Sequence, residues 1–382
     1  MKKVFSAVII LFLFTGAMAQ DIPYARHLVD TLASPSFWGR GYTNNGMLKA
    51  SIFLADQFQK LGLQPMKGES YFQKFTYPVN TFPGKMEVSI NGKKLIPGED
   101  YIISAESKSV KSYGELEQRD SVTFFDRENR VFFVLKDKLT WECAPAVEEY
   151  TLILLDKKRV TKKPQGYSIN VESSFVKKFN AVNICATVKG TAVPDSFIVF
   201  TGHYDHLGGM GTETYFPGAN DNASGVALCM NLAKYYAKNP SRYSIAFILF
   251  SGEEPGLIGS KYFTEHPLID MKKIRFLLNN DIAGTGEDGI TIVNSTVFVE
   301  EFNAMRRIND SKGYLKTLAQ RGKAAISDHY FFTEAGVPSF FFFTMGGIQA
   351  YHDVYDKAET LPLNKHEELF KLLVEFTSAL TD

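Results

Sequence analysis

The sequence predicts an α/β fold: a mixed, largely parallel central sheet with helices on both faces, plus a mainly β insertion. Three observations carry that expectation. From about residue 178 onward, apolar runs of strand length alternate with helical stretches. Residues 81–177 instead show short strands and turn signals with weak helical periodicity. Apolar residues make up 45% of the 382-residue chain and Phe alone counts 32, enough to fill a globular core and too many for a disordered chain.

The elements follow in chain order. Lys2 and Lys3 precede an apolar run over 4–14, and Ala17-Met18-Ala19 supplies small residues at a cleavage site. This pattern predicts a secretory signal cut after Ala19 and an exported, periplasmic or extracellular product. The run is shorter than the roughly 20 residues that span a bilayer, so no membrane insertion is expected.

Residues 20–80 read as a helical opening to the main domain. Met47, Ala50, Leu54, Phe58 and Leu61 recur at three- and four-residue steps, and Gly62 stands where a C-terminal cap belongs. In the insertion, Asn91-Gly92 is a hairpin signal, and RVFFVL and YTLILLD are further strands. In residues 178–382, SFIVF (196–200), SIAFILF (244–250), IRFLL (274–278) and SFFFF (339–343) read as buried strands. Helices are expected near 223–237, 256–265, 298–311 and 364–380.

Charge excludes some functions. Lys and Arg total 42 against 42 Asp and Glu, so nothing favours nucleic acid or an anionic membrane surface as partner. Cys143, Cys185 and Cys229 are too few for a disulfide scaffold and are expected to pack as small apolar side chains.

In open α/β sheets, ligands bind beyond the carboxyl ends of the strands. Here each apolar run leads into side chains able to hold a metal: His203 and Asp205 after the first, Glu253 and Glu254 after the second, Asp281 after the third, and His352 beyond the fourth. Asp221 lies in PGANDNASG, just before a helix. Taken singly, a strand-end histidine is usually structural, adjacent glutamates are usually solvated, and an Asp in GANDN is usually a turn residue. His27, His206, His266 and His366 keep such readings. Convergence changes the weighing, because so many anions on one sheet edge repel each other unless divalent cations neutralise them. Imidazole and carboxylate without thiolate suit zinc.

The stretches GHYDHLG, PGANDNASGVA, LFSGEEPGLIGS, NNDIAG, SDHYFF and YHDVYDKAETL, spread over residues 198–361, resemble peptidase family M28, the zinc aminopeptidases. The resemblance implies a zinc-peptidase-like α/β/α sandwich. It implies two Zn²⁺ bridged by Asp221, one completed by His203 and Asp281, the other by Glu254 and His352. It also implies a cis Asp221–Asn222 peptide. Glu253 would be the general base for a metal-bridging hydroxide, and Tyr351 a donor to the developing oxyanion. Asp205 would orient His203 through its carboxylate, while Asp328 and His329 would sit in supporting positions around the site. The insertion stands where some members carry a protease-associated β domain. The sequence departs from the family pattern at Ile282-Ala283 and at Asp353-Val354. The expected activity is removal of N-terminal residues from peptide substrates. A single-zinc glutaminyl cyclase, a carboxypeptidase or dipeptidase, and a non-catalytic binding protein on the same scaffold are the alternatives.

Overall fold

The computed structural model describes residues 21–381, so the export signal read from residues 1–19 lies outside the described residues. Two helices open the chain. α1 (Ile22–Leu32) starts at Asp21, whose carboxylate accepts the Tyr24 N–H at 2.9 Å. α2 (Gly46–Lys60) buries Met47, Ala50, Leu54 and Phe58, the stripe its sequence shows, and Gly62 follows at φ +81°. The end of this opening segment is strand rather than helix: β1 (Gln64–Pro65) and β2 (Phe72–Thr81).

The central sheet has nine strands. Beyond β1 and β2 these are β3 (Ser174–Val188), β4 (Val193–His203), β5 (Tyr243–Phe250), β6 (Ile274–Asn280), β7 (Gly289–Val293), β8 (Leu318–Arg321) and β9 (Ser339–Met345). The order is β1-β3-β5-β4-β6-β9-β7-β8, with β2 also on β3. The four inner strands β5, β4, β6 and β9 are mutually parallel, and β3 and β7 flank them antiparallel. Their apolar runs serve two layers by alternation. Ile198, Phe200, Ile245, Phe247 and Leu249 join the core under α1, α2, α3 (Gly225–Lys238), α5 (Val299–Lys312) and α7 (His366–Thr381). Val199, Ala246, Ile248 and Phe250 face α4 (Ile258–Glu265) and α6 (His329–Glu334) through Phe263 and Phe332. The result is a three-layer sandwich. The strands β7 and β8 at one end of the sheet and the short α6 are not among the elements the sequence patterns single out.

β2 and β3 pair antiparallel, with an irregularity between Val176 and Phe179, and carry the chain out to the insertion and back. The insertion holds a five-stranded and a four-stranded sheet. Asn91 and Gly92, at φ +50° and +79°, turn the hairpin between Met86–Ile90 and Lys93–Lys94. Its core of Val88, Ile90, Tyr101, Phe133, Trp141, Ile153 and Leu155 continues into Leu207, Met210 and Phe216 of the main domain. Among the described residues no helix is long and apolar enough to cross a membrane. All three cysteines are free.

Candidate metal centre

The chain leaves β4 toward β5 on one side and β6 on the other, and the site forms at that divergence. His203 is the last residue of β4. Glu253 and Glu254 follow β5, and Asp281 follows β6. His352 sits in the loop beyond β9, where the chain reverses at Gly346 and Gly347. Asp221 comes from the loop that leads into α3.

That loop is held from several directions. The Asn220 and Asp221 N–H groups donate to the two oxygens of Asp356 at 2.8 and 3.0 Å. Arg40, fully buried, donates to the carbonyls of Leu32, Tyr204, Pro217, Gly218 and Asp221 at 2.8–3.1 Å. Burial pulls the guanidinium down to about 10, with Asp221 and Asp356 the largest opposing charges. Gly218 is at φ +60°, and a Cβ there would lie 2.3 Å from the His206 ring and the Asp221 carbonyl, so only glycine fits. The Asp221–Asn222 peptide is cis.

The six expected residues meet. Asp221 Oδ1 lies 3.4 Å from His203 Nε2, and Oδ2 lies 3.1 Å from His352 Nε2. Asp281 Oδ1 is 3.3 Å from His203 Nε2, and Glu254 Oε2 is 3.3 Å from His352 Nε2. Glu253 Oε2 stands further off, 4.0 Å from His203 Nε2. His203, Asp221 and Glu254 form one group of donor atoms close enough to hold an ion, and His203, Glu253 and Asp281 form another.

Electrostatics follow from this crowding. Burial disfavours charge on both imidazoles. Asp281 and Glu253 nevertheless hold His203 well above its usual range, and Glu254 and Asp221 raise His352 to about 10. Burial alone would raise Asp221, but hydrogen bonds from His203 and His352 keep it well below the usual carboxylate range. Glu253 is pushed well above its range by burial. With no cation, imidazolium protons are what balance the carboxylates. A divalent cation would displace them at the same atoms, so the donor set fits a metal.

Other expected residues fall around this cluster. The Tyr351 ring stacks on the His352 ring at 4.0 Å, with the residue 44% exposed. The Asp205 carboxylate does not orient His203. His203 Nδ1–H donates to the Asp205 main-chain carbonyl at 3.2 Å, while Oδ1 of that carboxylate is 3.8 Å away and accepts the Glu253 N–H at 3.3 Å instead. Burial raises Asp205 to about 7. Asp328 and His329 are fully buried at the start of α6, the first raised by burial to about 7, the second stacked on Phe341 at 5.2 Å. Asp281 Oδ2 accepts instead from Ser327 Oγ at 3.1 Å.

Several supporting residues escape the sequence reading. His206 Nδ1–H donates to Glu254 Oε1 at 2.6 Å, and its place three residues after His203 was the only signal available. Asp356 lies within the YHDVYDKAETL stretch but is given no role there, and Arg40 and Trp141, whose carbonyl accepts from His352 Nδ1 at 2.9 Å, are not singled out.

Residues 183–377 match the sequence profile described as Peptidase family M28. A probable zinc metalloprotease of the fungus Pyricularia oryzae is 40% identical over 128 residues, 32% of this chain and 26% of that protein. Aminopeptidase YwaD of Bacillus subtilis is 29% identical over 192 residues, 47% of this chain and 40% of that protein. The chain thus spans about a quarter to two fifths of the length of these curated relatives. Among solved structures, BSAP, a zinc aminopeptidase from Bacillus subtilis, superposes with a TM-score of 0.72 at 18% identity, covering 95% of this chain and 96% of that one. A peptidase M28 precursor from Shewanella amazonensis gives 0.72 at 15% identity, covering 94% and 93%. At such identities these two structures establish the shared fold.

Proposed function

The chain belongs to peptidase family M28, and from that premise we propose that it is an exported zinc-dependent aminopeptidase removing N-terminal residues from peptides. The observation that carries the reading is Asp221, whose two oxygens each face a different histidine. His203 and Asp281 would hold one ion with it, Glu254 and His352 a second. Bound zinc would acidify a coordinated water and polarise the scissile carbonyl.

The protein's own groups do the rest. Glu253 is the general base: it stands back from the closest contacts, and burial raises its affinity for a proton. It would take the proton of the attacking water and hand it to the departing amine. Tyr351, immediately before His352, offers a phenol that burial keeps protonated, suited to donate to the carbonyl oxygen as charge develops there. His206 fixes Glu254, and the Asp205 carbonyl holds His203 by Nδ1–H so that Nε2 faces Asp221 and Asp281.

The test is hydrolysis of an amino-acid arylamide panel with free and blocked N-termini, with and without a chelator. Cleavage of free-amine substrates that stops with the chelator is expected. Equal cleavage of blocked substrates would remove the aminopeptidase assignment, and chelator-insensitive cleavage would remove the metal. Export through residues 1–19 is tested by the N-terminal mass of the protein recovered outside the cytoplasm.

A further inference from the structure

The β insertion meets His352 itself through a short segment, residues 138–144. Trp141 and His352 exchange two hydrogen bonds: the Trp141 N–H donates to the His352 carbonyl at 2.8 Å, and His352 Nδ1–H donates to the Trp141 carbonyl at 2.9 Å. A main-chain carbonyl can only accept, so the second bond keeps a proton on Nδ1 and makes Nε2, which faces Asp221 and Glu254, the nitrogen a metal would take in place of its proton. The backbone of His352 is left-handed at φ +52°, a conformation unfavourable for a non-glycine residue that persists only when its surroundings enforce it.

The enforcing contacts come largely from the insertion. Lys138 Nζ donates to the Gln349 carbonyl at 2.9 Å and lies 3.4 Å from Asp353 Oδ2. Asp353 in turn accepts the N–H groups of Tyr351 and Tyr355 on either side of His352, at 3.3 and 2.9 Å. Further along, Arg159 donates to the Tyr355 hydroxyl at 3.2 Å. Trp141 is itself anchored inside the insertion. Its indole N–H donates to the Ile103 carbonyl at 2.7 Å, and its ring stacks on Phe216 at 4.6 Å.

We propose that segment 138–144 is a strap by which the insertion orients a metal ligand, with Trp141 as the positioning residue that sets the ring and tautomer of His352. The proposal rests on the zinc reading above. It gives the insertion a specific role: one ion position depends on it, and the other, completed by His203 and Asp281, does not.

The experiment measures zinc affinity of the full-length chain by competition with a chromophoric chelator, with His352→Ala marking which of the two affinities belongs to the His352 side. Trp141→Ala keeps both main-chain bonds but removes the indole bond to Ile103 and the stack on Phe216 that hold them in place. It is expected to weaken that affinity by about 10-fold, as a displaced outer partner of a ligating histidine does, and to move the other by less than about threefold. Lys138→Ala, at an exposed side chain, is expected to weaken the same affinity severalfold without opening a core. Phe133→Leu, in the insertion core away from the strap, should lower the melting temperature and leave both affinities in place. Unchanged affinities in Trp141→Ala and Lys138→Ala would overturn the strap while leaving the zinc reading intact. Equal loss at both positions in Trp141→Ala and Phe133→Leu would also overturn it. A wild-type chain that takes up no zinc would overturn the functional reading, and the strap with it.

Discussion

Asp356 accepts the main-chain N–H of Asp221 on Oδ2 at 3.0 Å, across 135 positions of sequence. The other oxygen takes the Asn220 N–H, so this carboxylate shapes the loop that presents Asp221. Asp356→Ala would leave both buried N–H groups without a partner, at about 1–3 kcal/mol each. We expect a melting temperature lower by several degrees and zinc affinity weaker by about 10-fold or more, read by thermal denaturation and chelator competition. Asp356→Asn, which keeps one acceptor, should fall between. Wild-type zinc affinity in Asp356→Ala would mean that the loop holds its shape without Asp356.

Arg40 should tolerate no replacement. Its planar fork donates to five carbonyls that belong to three separate stretches of chain. A lysine ammonium has three donors at one point and cannot span them. Arg40→Lys is therefore expected to destabilise the fold by roughly 2–4 kcal/mol in urea denaturation. A midpoint matching the wild type would show that water can take over the carbonyls.

Glu253→Gln preserves shape and removes the base. Turnover of an arylamide should fall by about 100-fold or more, with the zinc content of the purified protein unchanged. Full activity in this variant would take Glu253 out of the chemistry. Loss of zinc would make it a ligand instead.

His366 sets an acid limit on stability. It is fully buried, its Nδ1–H donates to the Ala283 carbonyl at 3.1 Å, and burial, aided by Arg26, lowers its imidazole to about 4. An unfolded histidine titrates near 6.5, so between about 6.5 and 4 the unfolded chain binds a proton that the folded chain does not. Stability is fully present above 6.5 and declines as pH falls through that window, by roughly 3 kcal/mol in total from this group. His366→Gln keeps a donor for Ala283 and should flatten the decline in denaturation midpoints between pH 7 and pH 4. An unaltered slope would assign the acid lability elsewhere.

Much of the scaffold was legible because the inner strands are buried on both faces, which forces continuous apolar runs such as SIAFILF, seen as Tyr243–Phe250. The metal-capable residues were legible for a related reason: each run ends in polar side chains, and parallel strands bring those ends to one edge. The strands Gly289–Val293 and Leu318–Arg321, at one end of the sheet, lack that signal because they are short. The roles of Arg40, Asp356 and Trp141 were hidden because most of their partners lie more than a hundred residues away and are main-chain or ring atoms that local sequence does not pair with them. Asp205 misled for the same reason, since its carbonyl rather than its carboxylate meets His203.

The buried guanidinium of Arg40 has a bearing on how the molecule is made. It joins the first helices to a loop whose other tether is residue 356, so the cation cradle cannot take shape on a partly synthesised or partly folded polypeptide. A zinc ion would then enter after the tertiary structure closes, unlike a zinc finger in which metal drives folding. Metallation is then a report of completed maturation, and the ion acquired depends on where folding finishes.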